Sequence, residues 1–418
     1  MRPFFSAMSL RFIFVDLDSY FASCEQQRDP ALRGRPVGVV PMMTDSTCCI
    51  AASYEAKAFG VKTGTNVREA RWLCPQIKFV EAGHANYVDI HNRITKAVEH
   101  DCLPEINIRS IDEFCAVIPP SWCNERDARA LAGRIRETIT RVAGECVTCS
   151  IGIGPNVFLA KMGSGMNKPR GLTFLHADNL PGPLEALDLS DIYGVGKRMH
   201  QRLLRRGVRS IRDLYDCNRA KMHSIWGGIE GDRMYAELRG EIIEHAETVR
   251  RQVSHSHVLP PRLRNREDAF AVIHRLTQKA AMRLRKLDHY AGSLSIGVRL
   301  GFDNRWGRET RFFPTQESRI FLRELRKLWS QIPDDAPEPC KVSVVLGELV
   351  SSTNYTNPLF TEMNNPRNVK LDQAMDALNK RFGAKTLYYA GGHKARDETP
   401  MRIAFQHIPD LETENDQA

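Results

Sequence analysis

A chain of 418 residues is longer than one ordinary hydrophobic core organises, so roughly two to four domains are expected. With 42% hydrophobic and 26% charged residues the composition is globular, and 59 Lys+Arg against 50 Asp+Glu leaves +9, which favours a polyanionic partner. Eleven cysteines in so long a chain do not make a small disulfide framework, and no segment reaches the ~20 apolar residues of a membrane span, so a cytoplasmic protein with no membrane partner is expected.

In chain order, residues 11–17 read as a buried strand, and Asp18 to Gln27 as a helix running off its end with Asp18 as its cap. Residues 28–80 change character: a short apolar strand near Gly34-Arg-Pro-Val-Gly38, then a helical turn from Ser53 to Phe59 stopped by Gly60. Tyr87, Ile90, Ile94 and Val98 recur at helical spacing over 85–102. Strands are expected near 106–118 and 146–153, separated by a helix over Asp127–Ala143, which makes an α/β sheet. Cys146-Val-Thr-Cys149 has no second pair to complete a zinc site and reads as two packed thiols.

From Pro181 the texture turns helical and basic. Gly194-Val-Gly196-Lys197 lies between helical stretches, the pattern of a hairpin that offers backbone N–H groups to a phosphate; a plain helix–turn–helix corner is the other reading. Residues 246–263 read as an extended linker into a new domain. Asn265 can cap a helix carrying Phe270, Ile273, Leu276, Ala280, Leu284 and Leu287 on one stripe, with strands following at 292–301, 308–313 and 341–349 in a β-α-β-β arrangement. One more helix is expected at 370–382, and an acidic disordered tail at 409–418.

Two strings carry the chemistry, Phe12-Ile-Phe-Val-Asp16-Leu-Asp18-Ser-Tyr-Phe21 and Arg109-Ser-Ile-Asp112-Glu113-Phe-Cys-Ala-Val-Ile118. A carboxylate inside an apolar strand must be hydrogen-bonded, neutralised or bound to a cation. Brought side by side, Asp16, Asp112 and Glu113 would hold two Mg²⁺ ions, with the Leu17 carbonyl as a neutral ligand, as metal-assisted nucleotidyl transfer requires. Because neighbours in a regular strand face opposite ways, Asp112 and Glu113 are expected at a strand end or turn. Tyr54 and Lys57 share one helical turn and Lys168 sits in the turn Asn167-Lys-Pro-Arg-Gly171, all three suited to a triphosphate. Phe21, near the first turn after Asp16, would lie under the incoming sugar and exclude a 2′-hydroxyl.

In this order the strings resemble the Y-family (translesion) DNA polymerases over residues 9–350. The carriers are Phe14-Val-Asp-Leu-Asp18, Tyr54-Glu-Ala-Lys-Ala-Phe-Gly-Val61, Ser110-Ile-Asp-Glu113, Gly152-Ile-Gly-Pro-Asn156, Asn167-Lys-Pro-Arg-Gly171 and Gly194-Val-Gly196. The resemblance implies an α/β multi-domain right hand: a palm (1–27 and 81–175), small fingers (28–80), a helical thumb with a helix–hairpin–helix (176–245), a linker (246–252), a little finger (253–350) and a C-terminal extension (351–418). It implies primer-template DNA and dNTPs as partners of a monomer. Asp16, Asp112 and Glu113 match the metal-binding carboxylates, Leu17 the backbone ligand, Phe21 the gate against ribonucleotides, and Tyr54, Lys57 and Lys168 the triphosphate contacts. Two positions depart from the pattern. Lys57 stands where arginine is commonest, and Ala51 where polymerase IV-like chains carry threonine. Lys57 and Thr386-Leu-Tyr-Tyr-Ala-Gly resemble the polymerase V catalytic-subunit branch, whereas Tyr54 resembles polymerase IV. Asn357-Pro-Leu359-Phe360 resembles a sliding-clamp peptide that lacks its leading glutamine, and an incidental loop reads as well. The rivals are a non-catalytic DNA-binding scaffold and another nucleotidyl-transfer enzyme, such as a cyclase, on a similar carboxylate palm.

Overall fold

The apolar run from Phe12 forms strand β1 (Phe12–Leu17), whose residues Ile13, Phe14, Val15 and Leu17 are almost wholly buried. In the computed structural model, which describes residues 10–45, 47–244, 249–301, 304–356, 366–383, 385–399, 403 and 408–409, this strand is the centre of a five-stranded sheet. Helix α1 (Tyr20–Arg28) follows it. The next segment builds a small sheet in which β2 (Val37–Val40) lies between β3 (Ala51–Ala52) and β4 (Lys78–Glu81), with α2 (Tyr54–Lys57) and α3 (Val67–Leu73) interposed in sequence. It has a core of its own, including Val40, Ala52, Val61, Val67 and Ile77. Gly60 ends the α2 turn as expected, at φ +86.

Helix α4 (His84–Asp101) leads to a hairpin of β5 (Asn107–Ile108) and β6 (Glu113–Val117), where one strand over 106–118 was expected. The run breaks because Arg109 and Ser110 both turn their N–H groups onto the Glu113 carbonyl, at 2.9 and 3.1 Å. Helix α5 (Glu125–Ala143) is capped by Asn124 and buries Ala128, Leu131, Ala132, Ile135 and Ile139 on one face. Strand β7 (Cys149–Gly154), helix α6 (Val157–Met166) and strand β8 (Leu172–Phe174) complete the sheet, in the order β5-β6-β1-β7-β8. Cys149 is buried in β7, its thiol pushed up to about 12 by burial, and all eleven cysteines are unpaired.

The Gly152–Asn156 string earns its residues here. A Cβ on Gly152 would lie 1.9 Å from the Ala160 carbonyl oxygen and 2.3 Å from the Ser164 nitrogen, so only glycine lets α6 close on β7. Gly152→Ala is therefore expected to cost about 3 kcal/mol or more, read as a lowered denaturation midpoint, because both clashing groups are backbone. Asn156 caps α6 by accepting from the Leu159 N–H at 2.8 Å.

Helices α7 (Lys197–Arg205), α8 (Ile211–Tyr215), α9 (Arg219–Trp226) and α10 (Ile229–Glu237) follow and share one core with α6. The arm before Gly194 is a single 3₁₀ turn, Leu189–Asp191, rather than a full helix. These elements belong to one compact unit (Met1–Ala246 with Ile403–Ile408); the second comprises Glu247–Arg402 with Pro409–Ala418.

In the second unit β9 (Val253–Val258), α11 (Arg266–Lys286), β10 (His289–Leu300), β11 (Asn304–Thr315), α12 (Ser318–Trp329) and β12 (Pro339–Ser351) form an antiparallel sheet ordered β11-β10-β12-β9. Both helices pack on that sheet and on each other. Two expectations are corrected. Residues 253–258, which texture alone puts in a linker and the resemblance puts at the start of the next domain, pair with β12 as an edge strand, and α12 adds a second helix to the β-α-β-β pattern. Asn265 caps α11 as expected, accepting from the Asp268 N–H at 2.8 Å. Helix α13 (Pro366–Phe382) then docks on α11 and α12. The Leu359 and Phe360 segment and the tail beyond Pro409 lie outside the described residues.

Candidate active site

Register decides which carboxylates meet. β1 pairs with β6 so that Asp16 stands directly opposite Glu113, and with β7 so that it stands opposite Ser150. The Leu17 N–H donates to the Asp112 carbonyl at 2.8 Å, fixing Asp112 in the bend just before β6. That bend is the strand end expected for two adjacent carboxylates. His91 on α4 supports it from behind, its Nδ1 2.8 Å from the Ile111 carbonyl oxygen. Asp16 is largely buried, and burial raises its carboxyl to about 7, with the charges of Glu113 and Asp112 pushing the same way and Lys168 opposing.

Each carboxylate is engaged. Lys168 pairs with Asp16, Lys161 with both Glu113 oxygens at 2.7 and 3.0 Å, and the Ser110 hydroxyl donates to Asp112 at 2.5 Å. Sequence reasoning missed Lys161, although it interrupts the apolar run Phe158-Leu-Ala-Lys161-Met and so carried the same signal as Asp16. Its ammonium also lies over the rings of Phe14 (5.2 Å) and Tyr193 (4.4 Å). Among the described residues, no three His, Cys, Asp or Glu side chains stand together in metal-ligand geometry. The donor set itself is hard carboxylate oxygen on neighbouring strands, one carboxylate raised by burial, which suits a hard divalent ion.

Beside the carboxylates lies a cationic cluster. Tyr54 and Lys57 come from α2, with the Lys57 ammonium 4.3 Å from the centre of the Tyr54 ring and 2.7 Å from the Ser19 hydroxyl. Loss of surrounding water lowers the Lys57 pKa, and the nearby charge of Lys168 lowers it further. Two ammonium groups that repel each other across one site favour an anion there. Phe21, half-buried on α1, stacks on Tyr87 with ring centres 4.5 Å apart and meets His84 edge-on at 6.3 Å. The aromatic plate expected from sequence thus has a rigid backing.

Asp18 is a correction. It does not cap α1; Ser19 is the cap residue, and the Asp18 carboxylate is drawn inward by Ser150, Thr148, the Arg170 N–H and Tyr54. Gly194 takes φ +89 and Gly196 is the cap residue of α7, so the Lys197 end of that helix is exposed for an anion. Tyr193, adjoining this turn, is the ring under Lys161.

A mixed sheet thus gathers carboxylates beside paired lysines, an arrangement suited to metal-assisted phosphoryl or nucleotidyl transfer. The impB/mucB/samB family model matches residues 15–165, and the model of that family's C-terminal domain matches residues 250–359. DNA polymerase IV of Moorella thermoacetica is 30% identical over 90% of this chain and 95% of its own length, and that of Pelotomaculum thermopropionicum 32% identical over 90% and 94%. A solved Y-family DNA polymerase chimera superposes with a TM-score of 0.68 at 22% identity, covering 82% of this chain and all of its own. The chain belongs to the impB/mucB/samB family of Y-family DNA polymerases.

Proposed function

We propose that this protein is a template-directed DNA polymerase of the translesion type, adding dNTPs to a primer 3′-OH during DNA damage tolerance. The observation that carries the chemistry is Asp16 facing Glu113 across β1 and β6, with Asp112 in the adjoining bend. Asp16, Asp112, Glu113 and the Leu17 carbonyl would hold two Mg²⁺ ions, which when bound supply charge stabilisation for the attacking and leaving oxygens. Tyr54, Lys57 and Lys168 hold and orient the triphosphate, Lys168 as a point charge. Lysine at position 57 gives up the two-pronged phosphate grip of an arginine. Phe21 closes the space beneath the sugar. The turn at Gly194–Gly196 with Lys197 grips backbone phosphates, so affinity for primer-template falls as salt rises.

The eleven unpaired cysteines support a reducing, cytoplasmic setting. No helix among the described residues is long and apolar enough to cross a membrane. A monomeric state and a sliding clamp engaged through Leu359 and Phe360 complete the reading. Primer extension with Mg²⁺ on undamaged and abasic templates tests it: extension dependent on template and dNTP is expected. DNA binding without extension on any primed template would instead favour a non-catalytic scaffold.

Sugar selection gives a second readout. Phe21→Ala is expected to raise ribonucleotide incorporation relative to deoxyribonucleotide by about 10²-fold, measured as the ratio of kcat/KM values, since a steric clash is being removed. Unchanged selectivity would move the gate elsewhere.

A further inference from the structure

We propose that Asp18 is a positioning residue for nucleotide binding: a buried carboxylate that locks the helix of Tyr54 and Lys57 and the turn of Lys168 into one triphosphate cradle. This rests on the reading of those three residues as triphosphate contacts. Asp18 is only 1% exposed. Its Oδ1 accepts from the Ser150 hydroxyl at 2.8 Å and the Tyr54 hydroxyl at 3.3 Å. Its Oδ2 accepts from the Thr148 hydroxyl at 3.0 Å and the Arg170 N–H at 2.9 Å. Four donors occupy two oxygens, which is the full capacity of a carboxylate.

The partners divide by origin. Thr148 and Ser150 belong to the sheet and its entry loop, and they anchor the carboxylate from the palm side. Ser150 also receives the Gly171 N–H at 3.2 Å, so the same anchor holds the far end of the lysine turn. Arg170 and Tyr54 are the members to be positioned. Arg170 adopts φ +59, a conformation unfavourable for a side-chain-bearing residue, and its N–H points at Asp18 while Lys168 lies two residues before it. Tyr54 carries the Lys57 ammonium over its ring, so whatever fixes the phenol fixes that cation too. Burial and the negative charge of Asp18 hold the Tyr54 phenol well above its ordinary pKa, so it stays a donor.

Every bond here is to a charged acceptor, which makes it stronger than its neutral equivalent. An asparagine would keep one acceptor oxygen and set an NH₂ against two donors, which must then reverse to accept from it, and all four bonds lose their charged acceptor. Single-nucleotide insertion kinetics with a matched dNTP test the assignment. Asp18→Asn is expected to raise KM for the dNTP by about tenfold with kcat within about threefold, and to leave the primer-template Kd unchanged. Tyr54→Phe is expected to raise KM less, and the double variant no more than Asp18→Asn alone, because both remove one linkage. Should Asp18→Asn fail to fold, Thr148→Val loosens the same carboxylate from the palm side and should raise KM in the same direction. A fall in kcat with KM unchanged, or effects of Asp18→Asn and Tyr54→Phe that multiply, would overturn the proposal while leaving the triphosphate contacts in place. If Tyr54→Phe and Lys168→Ala both leave KM untouched, the triphosphate reading itself fails and the role of Asp18 falls with it.

Discussion

Primer extension by Asp112→Ala is expected to fall by about 10³-fold or more, with primer-template binding and thermal stability close to those of the parent. The separation follows from where Asp112 sits. It lies in a bend outside β6, half-exposed, and its carboxylate accepts from the Ser110 hydroxyl. Its backbone carbonyl holds the Leu17 N–H, and an alanine keeps that bond. The loss is thus confined to a charge that also acts on Asp16. Quenched primer-extension time courses beside a DNA-binding titration would check it. Extension at the parental rate would remove Asp112 from the catalytic set.

Arg285→Ala is expected to destabilise the second unit by about 3 kcal/mol, since it leaves the buried Asp372 and the partly buried Asp376 without their cation. Arg285 is 7% exposed and reaches from α11 to both oxygens of Asp376 on α13, at 2.6 and 2.9 Å. It also donates to the Gln316 carbonyl and the Ser318 hydroxyl. Asp372, 1% exposed and 3.6 Å away, accepts from the Ser318 N–H and the Tyr389 hydroxyl, both at 2.8 Å. One guanidinium therefore ties α11, the start of α12 and the C-terminal helix. A thermal midpoint lowered by on the order of 10 °C is the expected signature, in a transition that the first unit need not share. A shift of only a degree or two would mean that α13 is not part of the folded unit's stability.

The carboxylate strings are legible because charge in an apolar strand has no packing use, and that argument finds Asp16 and Asp112-Glu113 unaided. Applied to an apolar helix it also finds Lys161, where motif spacing alone passes over it. Asp18 is illegible for the opposite reason. A local rule, that an aspartate before a helix caps it, competes with donors 36 to 152 positions away, and the distant donors win. The same contrast runs through the fold. Helix α11 announces itself by its cap and stripe, and α12 is equally encoded by Phe321, Leu325 and Leu328, which strand signals on either side obscure. β9 has no signal of its own, since Ser254, His255, Ser256 and His257 become a strand only by pairing with β12.

Helix α6 belongs to two interiors at once. Its glycine-lined face closes on β1 and β7, while Phe158, Leu159 and Met162 enter the cluster built by Leu184, Leu203, Ile225 and Leu238. The Asn156 amide also clasps the Glu237 and Glu241 carbonyls, both at 2.8 Å. Prising the four-helix segment from the sheet would strip those three side chains, at about 1.5–3 kcal/mol each. The turn at Gly194–Gly196 and the carboxylates are therefore joined through one shared helix. A displacement between the helices and the sheet would have to break that shared packing, so movement of a duplex past the carboxylates falls to the nucleic acid or to residues outside this frame.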